Sequence, residues 1–266
     1  MPRPWKPTPT LLLSGVIHVA AGIAVLIAPA TWPWALGAVL ANQILITVGC
    51  LLPRSALLGP NLTRLPPAAI TRREIALTID DGPDPEVTPQ VLDLLDANGA
   101  KASFFCIGHL ARQYPDLCRE IIARGHSIEN HSERHAKAFA TFGPFRMRAD
   151  VLAGQATLGE ISGRPPQFFR PTAGLRNPFL APILARHDLL QATWTRRAFD
   201  TRQGDPEIVL QRLTSGLAAG DILLLHDGNA ARSANGIPVI LNVLPDLLQR
   251  IAAARLTPVT LTAALK

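Results

Sequence analysis

The sequence predicts an α/β barrel of seven strand–helix repeats, preceded by two apolar helices near the N-terminus. From residue 74 onward, short and almost continuously apolar runs alternate with amphipathic stretches, which is the pattern of parallel strands covered by helices on both faces. Reactive polar residues directly follow several of these runs, as they do at the carboxyl-terminal rim of a barrel. Seven repeats favour a barrel, although the count alone leaves a doubly wound open sheet as the alternative.

The first 58 residues form the predicted membrane segment. No charged residue lies between Lys6 and Arg54, and residues 11–28 and 34–52 are two apolar runs within that interval. Each run has roughly the 20 residues that a helix needs to cross a bilayer. Three of the four tryptophans lie at the edges of these runs, where interfacial aromatic residues are expected: Trp5, Trp32 and Trp34. A cleaved signal peptide is the alternative, but a second apolar run directly after it is not typical of one.

The positive charge of the chain belongs to its N-terminal part. The net charge is +6, and six of the 26 basic residues lie in residues 1–73, which contain no acidic residue: Arg3, Lys6, Arg54, Arg64, Arg72 and Arg73. The other 20 basic residues balance the 20 acidic ones, which argues against a nucleic-acid-binding face on the main domain. Since bases flank the hairpin and none lies in its connection, we expect the main domain on the cytoplasmic side of a bacterial inner or plasma membrane. If only one run spans, the domain faces outward.

Residues 59–73 read as a Pro-rich linker, and residues 74–266 form the main domain. Its predicted strands cover residues 75–80, 102–107, 127–130, 167–170, 189–195, 221–226 and 257–261. Its predicted helices cover residues 87–97, 110–124, 145–161, 178–187, 206–219 and 238–254. Three glycines fall just past predicted helices, where a left-handed residue commonly ends a helix: Gly99, Gly125 and Gly220.

The candidate functional residues cluster at the carboxyl ends of the predicted strands. They are Asp80, Asp81, His131, Arg170, the segment 196–200 that ends in Asp200, His226 and Asp227. In an α/β barrel these strand ends form the rim on which active sites are built. So many reactive residues at this one position favour an enzyme over a structural or binding protein.

A pair of histidines and a pair of carboxylates suggest a metal site. His131 and His135 are four residues apart, so on a helical turn both rings would face one ion, although two ordinary core or surface histidines give the same spacing. Asp80 and Asp81 end a strand at Gly82, which allows both carboxylates to face the rim. One carboxylate would complete a His/His/Asp zinc site, and the other would take a proton from water. A turn-forming role for the two aspartates is the alternative.

Three more residues are candidates for proton transfer and its control. His226 ends a very apolar predicted strand and is a candidate general acid, the alternative being a buried histidine bonded to Asp227. Arg170 is placed to orient the catalytic carboxylate. Asp200 would pair with either Arg170 or His226.

Together these motifs resemble those of the NodB-type polysaccharide deacetylases, carbohydrate esterase family four. The resemblance runs in order over residues 74–261. Residues 78–83 (T-I-D-D-G-P) are similar to the family motif TFDDGP, residues 131–135 (H-S-E-R-H) to H-[ST]-x-x-H, and residues 170–174 (R-P-T-A-G) to RxPxG. Residues 194–200 match the fourth motif loosely, and residues 224–227 (L-L-H-D) are similar to the closing motif. Ile79 stands in place of the usual phenylalanine, and Thr172 in place of a proline.

The resemblance implies a distorted (β/α)₇ barrel that binds one divalent metal ion, usually Zn²⁺. Its ligands would be Asp81, His131 and His135. The implied activity is that of a metal-dependent hydrolase that removes the N-acetyl group from an amino sugar in a polysaccharide, an oligosaccharide of the chitooligosaccharide type, or a lipid-linked glycan. Membrane attachment favours a glycan near the envelope or a lipid-linked sugar.

The resemblance also implies the catalytic roles. Asp80 would be the base and His226 the acid that protonates the leaving amine, with Arg170 and Asp200 tuning these two groups. The backbone N–H of Ala173 would stabilise the oxyanion. The alternatives are a deformylase or small-amide hydrolase on the same scaffold, or a catalytically silent carbohydrate-binding member, which we expect to have lost at least one of these residues.

Overall fold

Two apolar helices form a hairpin at the N-terminus of the computed structural model, which describes residues 5–266; Arg3 therefore lies outside the described residues. Helix α1 spans Pro9–Ile27 and α2 spans Trp32–Leu51, with a 3₁₀ turn over Pro29–Thr31 between them. By length and composition both are able to cross a membrane. None of the residues of α1 is buried, so the apolar surface of the hairpin is left exposed by the rest of the chain.

Polar side chains inside the hairpin pair with each other across the two helices. The amide of Asn42 donates to the hydroxyl of Ser14 at 2.9 Å, and Nε2 of Gln43 lies 3.2 Å from Nε2 of His18. Between membrane helices such pairing satisfies polar groups that lipid cannot. The pairing is consistent with the predicted spans, and the crossing of a membrane stays a prediction.

The main domain is built on eight parallel strands. They are β1 (Glu74–Asp80), β2 (Ala102–Cys106), β3 (Ser127–Asn130), β4 (Phe168–Phe169), β5 (Leu190–Gln191), β6 (Arg196–Arg197), β7 (Ile222–His226) and β8 (Thr257–Val259). The sheet runs in the order β5-β4-β3-β2-β1-β7-β6, and β8 pairs with the first residues of β1. The sheet curls so that β5 and β6, consecutive in the chain, form its two edges. The predicted distorted (β/α)₇ barrel is confirmed.

The remaining helices cover this sheet. They are α3 (Pro67–Thr71), α4 (Thr88–Ala97), α5 (Gly108–Gln113), α6 (Pro115–Ala123), α7 (Pro144–Ser162), α8 (Leu180–Arg186), α9 (Pro206–Thr214), α10 (Val239–Ala253) and α11 (Leu261–Ala264). The single helix predicted over 110–124 is wrong, because Pro115 lacks an N–H group and ends α5 before α6 begins.

The strand predicted over 189–195 is much shorter in the structure, because only β5 (Leu190–Gln191) lies within it and β6 (Arg196–Arg197) begins just after its predicted end. Between them the carbonyls of Ala192 and Thr193 accept hydrogen bonds from the guanidinium of Arg170, at 3.1 and 2.7 Å, and the chain turns towards the other edge. The linker pairs with this edge, because the N–H of Leu62 donates to Gln191 and its carbonyl accepts from Thr193, both at 2.9 Å. The linker is therefore packed against the barrel.

Alternation along β1 separates the core from the barrel interior. The residues of β1 that pack with the covering helices are Ile75, Leu77 and Ile79. Ala76 belongs to the other side, with Phe105 and Ile222. Because side chains alternate along a strand, Thr78 and Asp80 share the inner face with Ala76. Asp80 thus reaches the rim from inside the barrel.

Candidate active site

Three of the predicted residues meet at one point on the rim. Oδ1 of Asp81 lies 3.2 Å from Nε2 of His131 and 3.1 Å from Nε2 of His135. Ligand atoms of the three side chains all lie within 4.8 Å of one another. Oδ1 of Asp81 is buried and makes no hydrogen bond to the described residues, so its position suits a cation. One carboxylate and two imidazoles are donors that suit Zn²⁺ and leave an open coordination position.

The two histidines reach this point from a loop and not from the helical turn that their spacing suggests. Ser132 has φ of 67° and His135 of 47°, both in the left-handed region. The N–H of Ser132 donates to Oδ1 of Asn130, and the N–H of His135 donates to the Ser132 hydroxyl, at 2.8 and 2.9 Å. These side-chain contacts replace helical hydrogen bonds. The helical expectation is wrong, yet the ring centroids are only 4.7 Å apart.

The pKa values of Asp81 and His135 suit metal binding, whereas the pKa of His131, which burial alone would lower, is raised by the nearby carboxylates of Asp80 and Asp81. Burial alone would raise the pKa of Asp81, but the contact with His131 and the charges of the neighbouring histidines hold this pKa well below its usual range. Burial, helped by the charge of His131, lowers the pKa of His135 to about 4, so its ring is neutral at pH 7. Nδ1 of His131 lies 2.7 Å from the carbonyl oxygen of Arg170 and donates to it. That bond leaves Nε2 of His131 free to bind a metal.

Asp80 is held by Arg170. Nη1 of this fully buried arginine donates to Oδ1 of Asp80 at 2.5 Å and to the hydroxyl of Thr78 at 3.0 Å, and the guanidinium lies 3.9 Å above the ring of Phe105. The other oxygen, Oδ2, lies 3.8 Å from Nε2 of His131. Arg170 therefore binds one carboxylate oxygen and leaves the second beside the candidate metal ligands.

Asp200 pairs with His226 and not with Arg170. Nδ1 of His226 lies 2.8 Å from Oδ1 of Asp200, and the backbone N–H of His226 donates to Oδ2 at the same distance. Burial alone would lower the pKa of His226, but the charge and hydrogen bond of Asp200 raise it to about 9. The alternative pairing of His226 with Asp227 is wrong, because Asp227 accepts instead from the hydroxyl of Thr88 at 2.5 Å and from the N–H of Gly228 at 2.9 Å.

One cleft of about 660 Å³ is lined by Ala173 and by five of the predicted side chains: Asp80, Asp81, His131, His135 and His226. Arg170 and Asp200 are fully buried behind it and reach it only through their partners. Ala173 is exposed and has φ of 55°, inside a 3₁₀ turn over Thr172–Gly174. The left-handed backbone of Ala173 turns the chain where this 3₁₀ turn lines the cleft.

The cleft also contains residues that sequence reasoning missed. The amide of Asn229 donates to Oδ2 of Asp81 at 3.3 Å, and Arg197 and Lys137 line the same walls. Asn229 follows the closing motif by two residues, and that position at the end of β7 is a signal for it. Leu51 and Pro53, at the end of α2, also line the cleft, and no local pattern indicates this contact.

Comparisons with known proteins identify the family. The family model for polysaccharide deacetylase matches residues 69–192. A peptidoglycan-N-acetylglucosamine deacetylase of Bacillus cereus is 34% identical over 175 residues, which are 65% of this chain and 81% of that protein. This chain belongs to the polysaccharide deacetylase family. A chitooligosaccharide deacetylase of Azorhizobium caulinodans is 31% identical over 60% of this chain and 78% of its own length.

Solved structures of polysaccharide deacetylases share the fold. A family 4 carbohydrate esterase from Streptomyces lividans, in complex with acetate, has a TM-score of 0.63 and 27% identity, covering 70% of this chain and 91% of that chain. A family pseudoenzyme from Bacillus anthracis has a TM-score of 0.68 at 19% identity, covering 77% and 69% of the two chains, which shows the fold alone. An inference of activity therefore needs the residues of the cleft as well as the fold.

The family match separates the barrel from the hairpin. The matched residues begin at 69, after α1, α2 and most of the linker. The resemblance to NodB-type deacetylases is confirmed, and homology supports a polysaccharide N-deacetylase. The hairpin and the walls that it adds to the cleft lie outside the segment that defines the family.

Proposed function

We propose that this protein is a metal-dependent N-deacetylase that hydrolyses the acetamide of an N-acetylglucosamine residue in a glycan. The observation that carries the proposal is that two separate pairs, Asp80 with Arg170 and His226 with Asp200, bring a candidate base and a candidate acid into the cleft that contains the candidate metal site. Amide hydrolysis needs a base for the attacking water and an acid for the leaving amine.

The metal ion would be held by Asp81, His131 and His135, and Zn²⁺ fits these donors best. When bound, it would supply Lewis acidity at the water and at the amide carbonyl. Asp80 takes the proton of the attacking water at Oδ2, while Arg170 holds Oδ1 in place. The N–H of Ala173 donates to the oxygen that becomes negative.

Collapse of the tetrahedral intermediate requires a proton on the departing nitrogen. His226 donates it from Nε2, since Nδ1 is engaged by Asp200 and the raised pKa keeps the ring protonated at neutral pH. The products are acetate and a glycan with one free amine. A catalytically silent carbohydrate-binding role is disfavoured because none of the proton carriers and candidate ligands is missing. A deformylase would use the same residues and differs only in the acyl group.

The membrane hairpin narrows the choice of glycan. Residues 1–58 are proposed as a membrane anchor with spans near 11–28 and 34–52, residues 59–73 as a linker and 74–266 as the catalytic domain. A domain on the cytoplasmic side would meet lipid-linked precursors, whereas finished peptidoglycan lies on the outer side. We therefore favour a lipid-linked N-acetylated sugar as the substrate.

Acetate release tests the proposal. The zinc-loaded full chain in detergent is expected to release acetate from N-acetylglucosamine oligomers, and a chelator should stop the release until zinc is restored. Asp80→Asn should lower the rate by about 10²–10⁴-fold, whereas Asp116→Asn, a change at an exposed carboxylate on α6, should not. Acetate release that survives both the chelator and Asp80→Asn would overturn the proposal. Formate release from formylated sugars, without acetate, would favour the deformylase.

A further inference from the structure

A second cavity of about 700 Å³ adjoins the catalytic cleft at the end of α2. It shares four wall residues with the cleft: Pro53, Trp194, Arg197 and Phe199. Four arginines and no acidic residue line it: Arg54, Arg196, Arg197 and Arg212. A ligand that bridges the two spaces would thus place one end beside the candidate metal site and the other among arginines.

Within residues 5–266, Arg196 is the one cavity arginine that pairs with an acidic side chain, and it shares that carboxylate, of Asp221, with Arg64. Nε of Arg196 donates to Oδ2 of Asp221 at 2.5 Å, and its other nitrogens donate to the carbonyls of Ser215 and Gly216. Arg54 and Arg212 each donate from Nη1 to a backbone carbonyl, of Thr195 at 2.9 Å and of Ala198 at 3.0 Å. Neither forms an ion pair with an acid among residues 5–266.

Arg197 is the most enclosed of the unpaired arginines. Its guanidinium lies 5.0 Å from the ring centre of Trp194 and 4.8 Å from that of Phe199. Its Nε is buried and makes no hydrogen bond within the described part of the chain. Aromatic rings stabilise such a cation and hold its plane, but they do not satisfy its N–H groups. The charges of Asp80 and Asp200 act on Arg197 from a distance, and its unbonded N–H groups can still donate to an anion.

The chemistry of that partner follows from the arginines. Three guanidinium groups that face one cavity without a carboxylate repel one another, and an anion would relieve the repulsion. Guanidinium groups match the oxygen atoms of phosphate in pairs of parallel hydrogen bonds. A neutral glycan polymer offers no charge for such a site.

The position of the cavity indicates where the phosphate comes from. Arg54 follows the last residue of α2, Leu51, by three positions, and Leu52 also lines the cavity. The hydroxyl of Thr8, just before α1, donates to the carbonyl of Leu57 at 2.6 Å, so the start of α1 is bound to the segment that follows α2. If the hairpin spans a bilayer, the arginines lie at the level of the lipid headgroups.

We propose that this arginine cavity binds the phosphate or diphosphate that joins the substrate sugar to a membrane lipid, while the N-acetyl group of that sugar enters the adjoining cleft. The inference rests on the proposed deacetylase function and adds a subsite to it. The lipid chain would leave past Leu52 towards the hairpin.

The test compares three substrates with the full chain in lipid nanodiscs. They are N-acetylglucosamine joined to farnesyl through a diphosphate, the same sugar joined to farnesyl through a neutral ether, and UDP-N-acetylglucosamine. We expect KM for the diphosphate lipid to be about tenfold or more below KM for the ether, the effect of one or two charge-assisted hydrogen bonds. Arg54→Gln and Arg197→Gln should bring the two KM values together, whereas Arg119→Gln, at an exposed position on α6, should not.

Each other outcome counts against a defined part of the proposal. Equal KM values for both lipids in the unchanged protein would overturn the phosphate subsite. Equal KM values for UDP-N-acetylglucosamine and the diphosphate lipid would mean that the cavity recognises a water-soluble sugar diphosphate and not a lipid headgroup. Arg54 is exposed, so Arg54→Gln is expected to fold normally. If both variants lose the KM difference, the loss in Arg197→Gln is explained by lost phosphate binding and not by misfolding.

A binding measurement separates this proposal from the deacetylase function. If no substrate releases acetate, the deacetylase function fails, and the cavity is then judged by farnesyl diphosphate binding to the metal-free full chain. Calorimetry should give a Kd for farnesyl diphosphate that is about tenfold higher for Arg54→Gln than for the unchanged protein. The same Kd for both would overturn the subsite.

Discussion

His226 and Asp200 are joined at two points: Nδ1 of the imidazole lies 2.8 Å from Oδ1 of the carboxylate, and the backbone N–H of the same histidine donates to Oδ2. Both side chains are buried. The double contact fixes the ring plane and directs Nε2 towards the cleft. The charge of Asp200 also outweighs burial, which alone would lower the pKa of His226, and raises it to about 9. Asp200 therefore sets both the orientation and the protonation of His226, the proposed acid.

The pH profile is expected to report this pair. A general acid works in its protonated form, so kcat/KM falls as pH rises through the pKa of His226. In Asp200→Asn the favourable charge is lost, the pKa falls by about 1–3 units, and the alkaline limb should move to lower pH by a similar amount. Asp205→Asn, which keeps the cap of α9, should leave the limb in place. An unmoved limb in Asp200→Asn would contradict the role of His226.

Loss of Arg170 should affect both stability and turnover. The fully buried guanidinium pairs with Asp80 and binds two carbonyls, so Arg170→Met leaves a buried carboxylate without its partner. We expect a loss of about 3–5 kcal/mol in the free energy of unfolding, measured by urea denaturation, together with a fall in kcat. Arg170→Lys keeps the charge and should lose less of both. A stable and active Arg170→Met would show that Asp80 does not need this partner.

Metal content should separate the proposed base, Asp80, from the proposed metal ligands. Asp80→Asn is expected to lose turnover and keep about one zinc per chain, because Asp80 is proposed as the base and not as a ligand. His131→Ala should lose both zinc and turnover, because it removes a ligand. Zinc is counted in the purified variants by atomic absorption. Loss of zinc from Asp80→Asn would make Asp80 a ligand, and activity in His131→Ala would refute the metal site.

The positions of the site residues could be predicted because strand ends can be read from sequence. Apolar runs placed the ends of β1, β3 and β7 within one residue of those in the structure. In a parallel sheet these ends meet at one rim, so residues distant in sequence were expected to lie together. The pairings of Asp80 with Arg170 and of His226 with Asp200 are of this kind, although the sequence left two partners open for Asp200.

What could not be predicted depends on contacts between separate segments. The turn at Ser132 requires the side chain of Asn130, and the gap between β5 and β6 requires the buried Arg170. Neither has a periodic signature. The end of α2 lines the cleft because the linker that follows it packs against the barrel. Hydropathy patterns identify the hairpin and the domain separately and carry no information about contacts between them.

Gly228 should tolerate no side chain, because it packs against the backbone of a candidate ligand. A Cβ atom added there would overlap the carbonyl oxygen of Asp81. Gly228→Ala is therefore expected to displace Asp81, weaken zinc binding and lower the free energy of unfolding by about 1–3 kcal/mol, as overpacking does. Gly143→Ala is the matched control, since nothing lies within 4 Å of its added Cβ. Unchanged zinc affinity in Gly228→Ala would show that Asp81 is not held by this contact.

The side of the membrane on which the cleft opens decides which glycans it meets. In the sequence, the bases that flank the hairpin precede α1 and follow α2, and the connection between the helices, Pro29–Thr31, carries no charge. If both helices span, the positive-inside rule predicts that both ends and the barrel lie in the cytoplasm. A reporter fused after Lys266 should accordingly give a cytoplasmic signal with the intact N-terminus still attached. Moving two arginines into the connection should weaken that preference, because the charge asymmetry is then reduced. An outward signal would mean that only one helix spans and that the cleft faces finished cell-wall glycans, while loss of the first 30 or so residues from the purified chain would identify a signal peptide.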